Sequence, residues 1–162
     1  MGTTFEVGEK AVYPAHGVGE ILEIETKEIA GKKMEFYILN ILDKDMTIMV
    51  PVEKAEEVGL RKIIVEDDVR KVYDILRERG TKMDISAWNK RYRAYLQKIK
   101  TGSVFEIAEV LRDLFVLKKE KTLSFGEKKM LETARDLLKK EISISKQVEE
   151  AQIERDFTQI FG

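Results

Sequence analysis

Val18-Gly19-Glu20-Ile21-Leu22-Glu23-Ile24-Glu25-Thr26-Lys27-Glu28-Ile29-Ala30-Gly31-Lys32-Lys33-Met34-Glu35-Phe36-Tyr37-Ile38-Leu39-Asn40-Ile41-Leu42 is the stretch from which the fold of the first half follows. Val18 to Ile29 reads as a long strand with partial alternation at Val18, Ile21 and Ile24, bent near Glu23. Ala30-Gly31-Lys32 is a hairpin turn, and Met34 to Leu42 is the return strand. On the N-terminal side, Lys10-Ala11-Val12-Tyr13 is a shorter strand, punctuated by Pro14-Ala15-His16-Gly17. On the C-terminal side, Asp43-Lys44-Asp45 turns the chain into Met46-Thr47-Ile48-Met49-Val50, which Pro51 stops. Val52 to Gly59 reads as a loop or helical turn, and Leu60-Arg61-Lys62 closes the sheet. Strands this short and closely spaced predict a small antiparallel barrel. Residues 1–62 carry 8 Lys/Arg and 12 Asp/Glu, a net −4, which is no nucleic-acid surface.

From Glu66 the apolar period becomes helical. Val69, Val72, Tyr73 and Leu76 share one face, and Gly80 stops that helix. A second runs from Ser86 to Lys100, with Trp88, Tyr92, Tyr95 and Ile99 on one stripe and Gly102 beyond. Ser103 caps a third, with Ile107, Val110, Leu111 and Leu114 apolar. Ser124-Phe125-Gly126-Glu127 is a capping box that starts a fourth, with Leu131, Ala134, Leu137 and Leu138 inward. Ser145 is the expected cap of a fifth, which ends in Phe157, Ile160 and Phe161. Neither proline lies beyond position 51, as a helical half requires. The expected fold is therefore α+β in two domains, 1–63 a small β-barrel and 64–162 a domain of about five helices.

Composition narrows the function. The 162 residues are 43% hydrophobic and 36% charged, with a net charge of −1 and no cysteine. That excludes disulfides and thiolate metal sites. No run of about 18 apolar residues is present to span a membrane. No secretory signal is visible at the N-terminus, and Glu6 breaks the myristoylation pattern. The expected location is the cytoplasm. His16 is the only histidine, and no carboxylate cluster at ligand spacing accompanies it, so no metal site is expected. There is no Walker loop or GxGxxG, and Gly17 and Gly19 read as turn or bulge glycines. No active site, cofactor or small-molecule substrate is read from the chain.

One segment stands apart. Thr81 to Gly102 carries six Lys/Arg (Lys82, Lys90, Arg91, Arg93, Lys98, Lys100) against one acid, Asp84, and opens on the only tryptophan, Trp88. A basic band of Lys90, Arg93, Gln97 and Lys100 suits a phosphate backbone, and a large ring beside it suits a groove or base step. It also suits a solvated helix face, because charge runs usually are one. Trp88 can be a core anchor or a wedge. Phe125, in the first turn of its helix, is ambiguous in the same way. Met46 to Val52 reads on pattern as an internal strand, with an edge open to a partner's strand as the functional alternative. Residues alone leave a DNA-binding regulator and a protein-interaction module that never touches DNA both open.

Several blocks resemble the CarD/CdnL transcription regulators: Val7-Gly8-Glu9-Lys10-Ala11-Val12-Tyr13-Pro14-Ala15-His16-Gly17-Val18-Gly19, Met46-Thr47-Ile48-Met49-Val50-Pro51, Trp88-Asn89-Lys90-Arg91-Tyr92-Arg93-Ala94-Tyr95-Leu96-Gln97-Lys98 and Leu123-Ser124-Phe125-Gly126-Glu127-Lys128-Lys129-Met130-Leu131. The N-terminal part is also similar to the polymerase-interacting domain of transcription-repair coupling factors, without their helicase motor. The resemblance implies a Tudor-like N-terminal domain that binds the β subunit of bacterial RNA polymerase. It implies a helical domain that contacts promoter DNA at the upstream edge of the bubble, so that the open complex is stabilised in the nucleoid. Trp88 would wedge into the minor groove, with Lys90, Arg91, Arg93 and Lys98 on phosphates and Leu96 and Phe125 beside it in an apolar patch. The polymerase contact would fall on Met49 and Pro51, with Lys27 nearby. Some members carry arginine where Met49 stands, which implies a smaller electrostatic share here. The long basic tail of larger members is not seen, so the compact, stand-alone type is expected.

Overall fold

The structure, a computed structural model, describes residues 4–14, 16–78, 85–101 and 103–162, and the backbone alone for 85–91 and 101. The chain divides into two compact units, Met1–Ile63 and Ile64–Gly162. Gly80 and Gly102, expected as helix stops, lie outside the described residues.

The first unit is a five-stranded antiparallel sheet: β1 (Lys10–Tyr13), β2 (Gly17–Ile29), β3 (Lys32–Ile41), β4 (Met46–Pro51) and β5 (Arg61–Lys62). The ladder runs β4-β3-β2-β1-β5, so β4 and β5 are its edges. This corrects the internal placement that the pattern of β4 favoured. Val50 is buried, but Met46 and Met49 are not. Ala30 and Gly31 both take positive φ, 52° and 82°, and join Ile29 to Lys32 in register. Two such residues form the turn whose twist matches the flanking strands. The bend near Glu23 is a register shift between Ile21 and Glu23, a bulge with Leu22 as the extra, exposed residue.

Ile24 departs from expectation, being 38% exposed. Along β2, β1 pairs only with Gly17–Glu20, and along β3, β4 pairs only with Phe36–Ile41. From Glu23 onward β2 pairs only with β3, so Ile24 lies on an edge that β1 no longer flanks, although Tyr37 opposite it is still backed by Val50 of β4. The core lies where Ile21, Tyr37, Leu39, Ile41 and Val50 gather with Phe5, Ala11, Ala55 and Leu60. Phe5 meets Tyr37 edge to face at 5.6 Å, and its N–H donates to the Tyr37 hydroxyl at 3.2 Å.

The second unit holds α1 (Glu66–Arg77), α2 (Ile85–Thr101), α3 (Val104–Glu120), α4 (Phe125–Lys146) and α5 (Glu150–Phe161). The fold class is thus α+β, with five strands followed by five helices. Most of the predicted stripes converge on α3: Val69, Val72 and Leu76 from α1, Tyr95 and Ile99 from α2, and Leu131, Ala134 and Leu138 from α4 are buried with it, whereas Tyr73, Tyr92 and Leu137 are only partly buried and Met130 joins the core outside the predicted stripe. Ser103 caps α3 by accepting from the Glu106 N–H. Ser145 does not cap α5. It lies inside α4, which runs on to Lys146 and stops at Gln147 in the left-handed conformation, φ 57°.

Ser145 serves a different end. Its hydroxyl donates to the Ile64 carbonyl at 2.6 Å, while the buried Glu141 carboxylate accepts from the Ile64 N–H at 3.0 Å. Two residues four apart on α4 thus satisfy both backbone groups of the residue that begins this unit. Glu141→Ala leaves that N–H without its acceptor in a buried setting, at an expected cost of about 1–3 kcal/mol, and Glu141→Gln, which keeps an oxygen there, costs less. Urea unfolding of the two variants checks the order.

Candidate functional site

α2 carries most of the predicted site. Trp88, Lys90 and Arg91 lie in it, and their side chains are outside the described residues. Arg93 is exposed. Leu96 is half-buried and packs against the helical core. Tyr95 is buried, and its hydroxyl donates to the Asp113 carboxylate. Lys98 reaches Glu109 at 3.3 Å.

Glu109 and Asp113 change the electrostatic picture. A count along the chain finds one acid in 81–102, but these two carboxylates, four apart on α3, face α2 across the helix contact. The signal was in the sequence as an i,i+4 acidic pair, yet nothing local says which helix it faces. The Lys98–Glu109 pair is partly solvated, and such pairs are worth about 0–1 kcal/mol. Lys98 can therefore exchange its carboxylate for a stronger anion at small cost.

Phe125 is 83% exposed. Its backbone is fixed by the capping box: Ser124 Oγ accepts from the Glu127 N–H at 3.2 Å, and Glu127 Oε1 accepts from the Ser124 N–H at 2.8 Å. Lys121 Nζ lies 3.0 Å from the same oxygen. Burial pushes the Glu127 carboxyl up, but its bonds to Ser124 and Lys121 together outweigh this and hold it below the ordinary 4.5. The next residue, Gly126, sits under Tyr92 of α2; a Cβ there would come 2.7 Å from the Tyr92 hydroxyl oxygen. The start of α4 and the middle of α2 are thus in contact, with a bare aromatic ring at the junction. A ring this exposed is costly without a partner.

The second surface is the free edge of β4. Its outer backbone groups have no strand beside them among the described residues, which is the arrangement that accepts an added strand. Met49 is 42% exposed, and Lys27 Nζ lies 3.8 Å from its sulfur, so the structure brings these two together. Pro51, at the end of β4, is half-buried. His16 holds no ligand-like arrangement. Its ring centroid lies 5.2 Å from that of Tyr13, and its backbone N–H donates to the Tyr13 carbonyl. Among the described residues no group of three or more His, Asp or Glu could hold a metal, and no helix is long and apolar enough to cross a membrane.

The chain is similar over nearly its whole length to known proteins. The family described as CarD-like/TRCF RID domain matches residues 5–64, and that described as CarD, C-terminal domain, matches residues 71–158. The Bacillus subtilis (strain 168) protein named "Putative transcription factor YdeB" is 38% identical over 157 residues, covering 92% of this chain and 97% of YdeB. Among solved structures, CdnLNt from Myxococcus xanthus is 53% identical and covers 41% of this chain and 93% of its own, with a TM-score of 0.34. The 72-residue N-terminal domain of Myxococcus xanthus CarD is 34% identical and covers 38% of this chain and 83% of its own, with a TM-score of 0.32.

The capping box makes a prediction in pH. Because the folded Glu127 carboxyl titrates below its unfolded value, its contribution is complete above pH 4.5 and disappears as pH falls through the lower folded value. Glu127→Gln keeps a capping side chain but cannot titrate. The parent should lose more stability than the variant between pH 7 and about 3.5. Urea midpoints at the two pH values measure the difference, and equal losses would contradict the assignment.

Proposed function

The chain belongs to the CarD family of transcription regulators, and on that premise we propose that it docks on the β subunit of bacterial RNA polymerase and holds promoter DNA at the upstream edge of the open bubble. Residues 1–63 are the Tudor-like polymerase-interacting domain, working through the β4 edge with Met49, Pro51 and Lys27. Residues 64–162 are the DNA-binding domain, working through α2 and the start of α4. Trp88 is the wedge. Lys90, Arg91, Arg93 and Lys98 hold phosphates, and Leu96 and Phe125 complete the apolar part. The observation that carries this reading is Phe125, a ring left 83% exposed next to Gly126, which meets Tyr92 of the helix that holds the chain's only tryptophan and most of its basic run.

The chemistry assigns the two surfaces different tasks. Three or four phosphate contacts change the slope of log K against log salt by about −0.9 each. Binding to free DNA is therefore weak at physiological ionic strength, and polymerase supplies the rest as effective concentration. A basic face alone holds closed and open promoter alike. A ring that fits only a partly unstacked step binds the open state better, and only such a difference shifts an equilibrium.

The test is a pair of variants on one polymerase preparation. Met49→Asp places a charge in the apolar strand contact and should weaken β-subunit binding by about 1–3 kcal/mol, roughly 5- to 150-fold, with the barrel still folded. Trp88→Ala should leave β-subunit binding intact and shorten the open-complex lifetime by roughly 5- to 100-fold, the range of one stacked base. Undiminished pull-down by a folded Met49→Asp protein removes the β4 assignment. An unchanged lifetime with Trp88→Ala removes the wedge and leaves the protein-interaction module as the better reading.

A further inference from the structure

α2 and α4 present their groups from different parts of the chain, and something must set the distance between them. α2 carries Arg93 and, one turn before Tyr92, Trp88. α4 carries Phe125 in its first turn. Tyr92 is half-buried against the helical core, so its ring is not a loose end. Its hydroxyl oxygen lies where a side chain at 126 would begin. A Cβ on Gly126 would approach that oxygen to 2.7 Å and the ring carbon that bears it to 3.6 Å. The first distance is a clash and the second is ordinary contact. Gly126 is also the second residue of α4, inside the turn fixed by Ser124 and Glu127, so the α4 side cannot yield without breaking the capping box.

We propose that Tyr92 and Gly126 form a positioning seat that fixes the interval between the basic face of α2 and the Phe125 ring, so that both meet the same distorted DNA step. Tyr92 does not touch DNA in this scheme; it acts through Phe125 and α2. The proposal rests on the DNA-binding reading above and adds to it the contact that sets the geometry. Helix propensity by itself runs the other way, since alanine is the better helix former and favours position 126. Any loss on Gly126→Ala therefore reports the clash.

The experiment compares the full-length parent, Gly126→Ala, Tyr92→Phe and the double variant. Tyr92→Phe removes the one atom at 2.7 Å and leaves the ring. Each protein is assayed for lifetime of the polymerase open complex, β-subunit binding and thermal melting. Gly126→Ala should shorten the lifetime about fivefold or more, which corresponds to about 1 kcal/mol, with β-subunit binding unchanged. Tyr92→Phe, which empties the seat, should itself shorten the lifetime about twofold or more, and adding it to Gly126→Ala, whose methyl refills the space, should restore the lifetime toward the parent's, the non-additivity expected of touching residues. An unchanged lifetime with Gly126→Ala overturns the seat. So does a loss of lifetime and melting temperature together that Tyr92→Phe fails to rescue, which makes 126 a packing position only. If the parent itself does not lengthen the lifetime over polymerase alone, the DNA reading fails and the proposal falls with it. If the parent does and Gly126→Ala does equally, only the seat falls.

Discussion

Burial of α3 is the constraint on which the helical unit depends. Ala108, Val110, Leu111, Leu114 and Leu117 are fully enclosed, with α1, α2 and α4 packed around them. A fully buried leucine contributes about 1.5–3 kcal/mol, and here those contributions are shared among helices that are marginal alone. Three of the charged residues of α3 lie at its seams with α1 and α2. Glu109 meets Lys98. Arg112 holds Glu78, just past the end of α1, at 2.7 Å and Asp113 at 3.1 Å. The element that supplies the core therefore also decides how much of α2's positive charge is left to face outward.

The sheet solves a different problem. Its compact end is closed over Tyr37 and Leu39, while its two edges differ in character. β5 is two residues long and offers little to pair with. β4 is six residues long, with two exposed methionines and no charge in the strand itself. Sheets usually guard such an edge with lysine or a bulge. Lys27, reaching over from β2, approaches a thioether rather than blocking the backbone.

Much of this was legible in the residues because the signals were local. Ala30-Gly31-Lys32 marked the hairpin turn, the broken alternation around Glu23 marked the bend, and Ser124 with Glu127 marked a helix start to the residue. The period-3.6 stripes identified the buried faces of α1, α3 and α4. What escaped depended on partners distant in sequence. Ile24 continues the alternation of Ile21, but β1 no longer flanks β2 there. Ser145 looks like a cap, yet its partner is Ile64, 81 residues away. The strand at Met46 could not be placed at an edge until its neighbours were known. The site showed the same division: the resemblance supplied roles for Trp88 and Phe125, whereas nothing local says what Glu109 and Tyr92 meet across their helix contacts.

The grip of α4 on Ile64 has a mechanical consequence. α4 is 22 residues long, about 33 Å at 1.5 Å per residue. Near its C-terminal end it holds both backbone groups of the residue where the chain enters this unit, and at its N-terminal end it holds up Phe125. A single rigid rod thus joins the point of attachment to the bare ring. A tug on the incoming chain at Ile64 loads that rod directly instead of being absorbed in a slack loop, so the helix works as a strut and the ring at its far end moves with the tether.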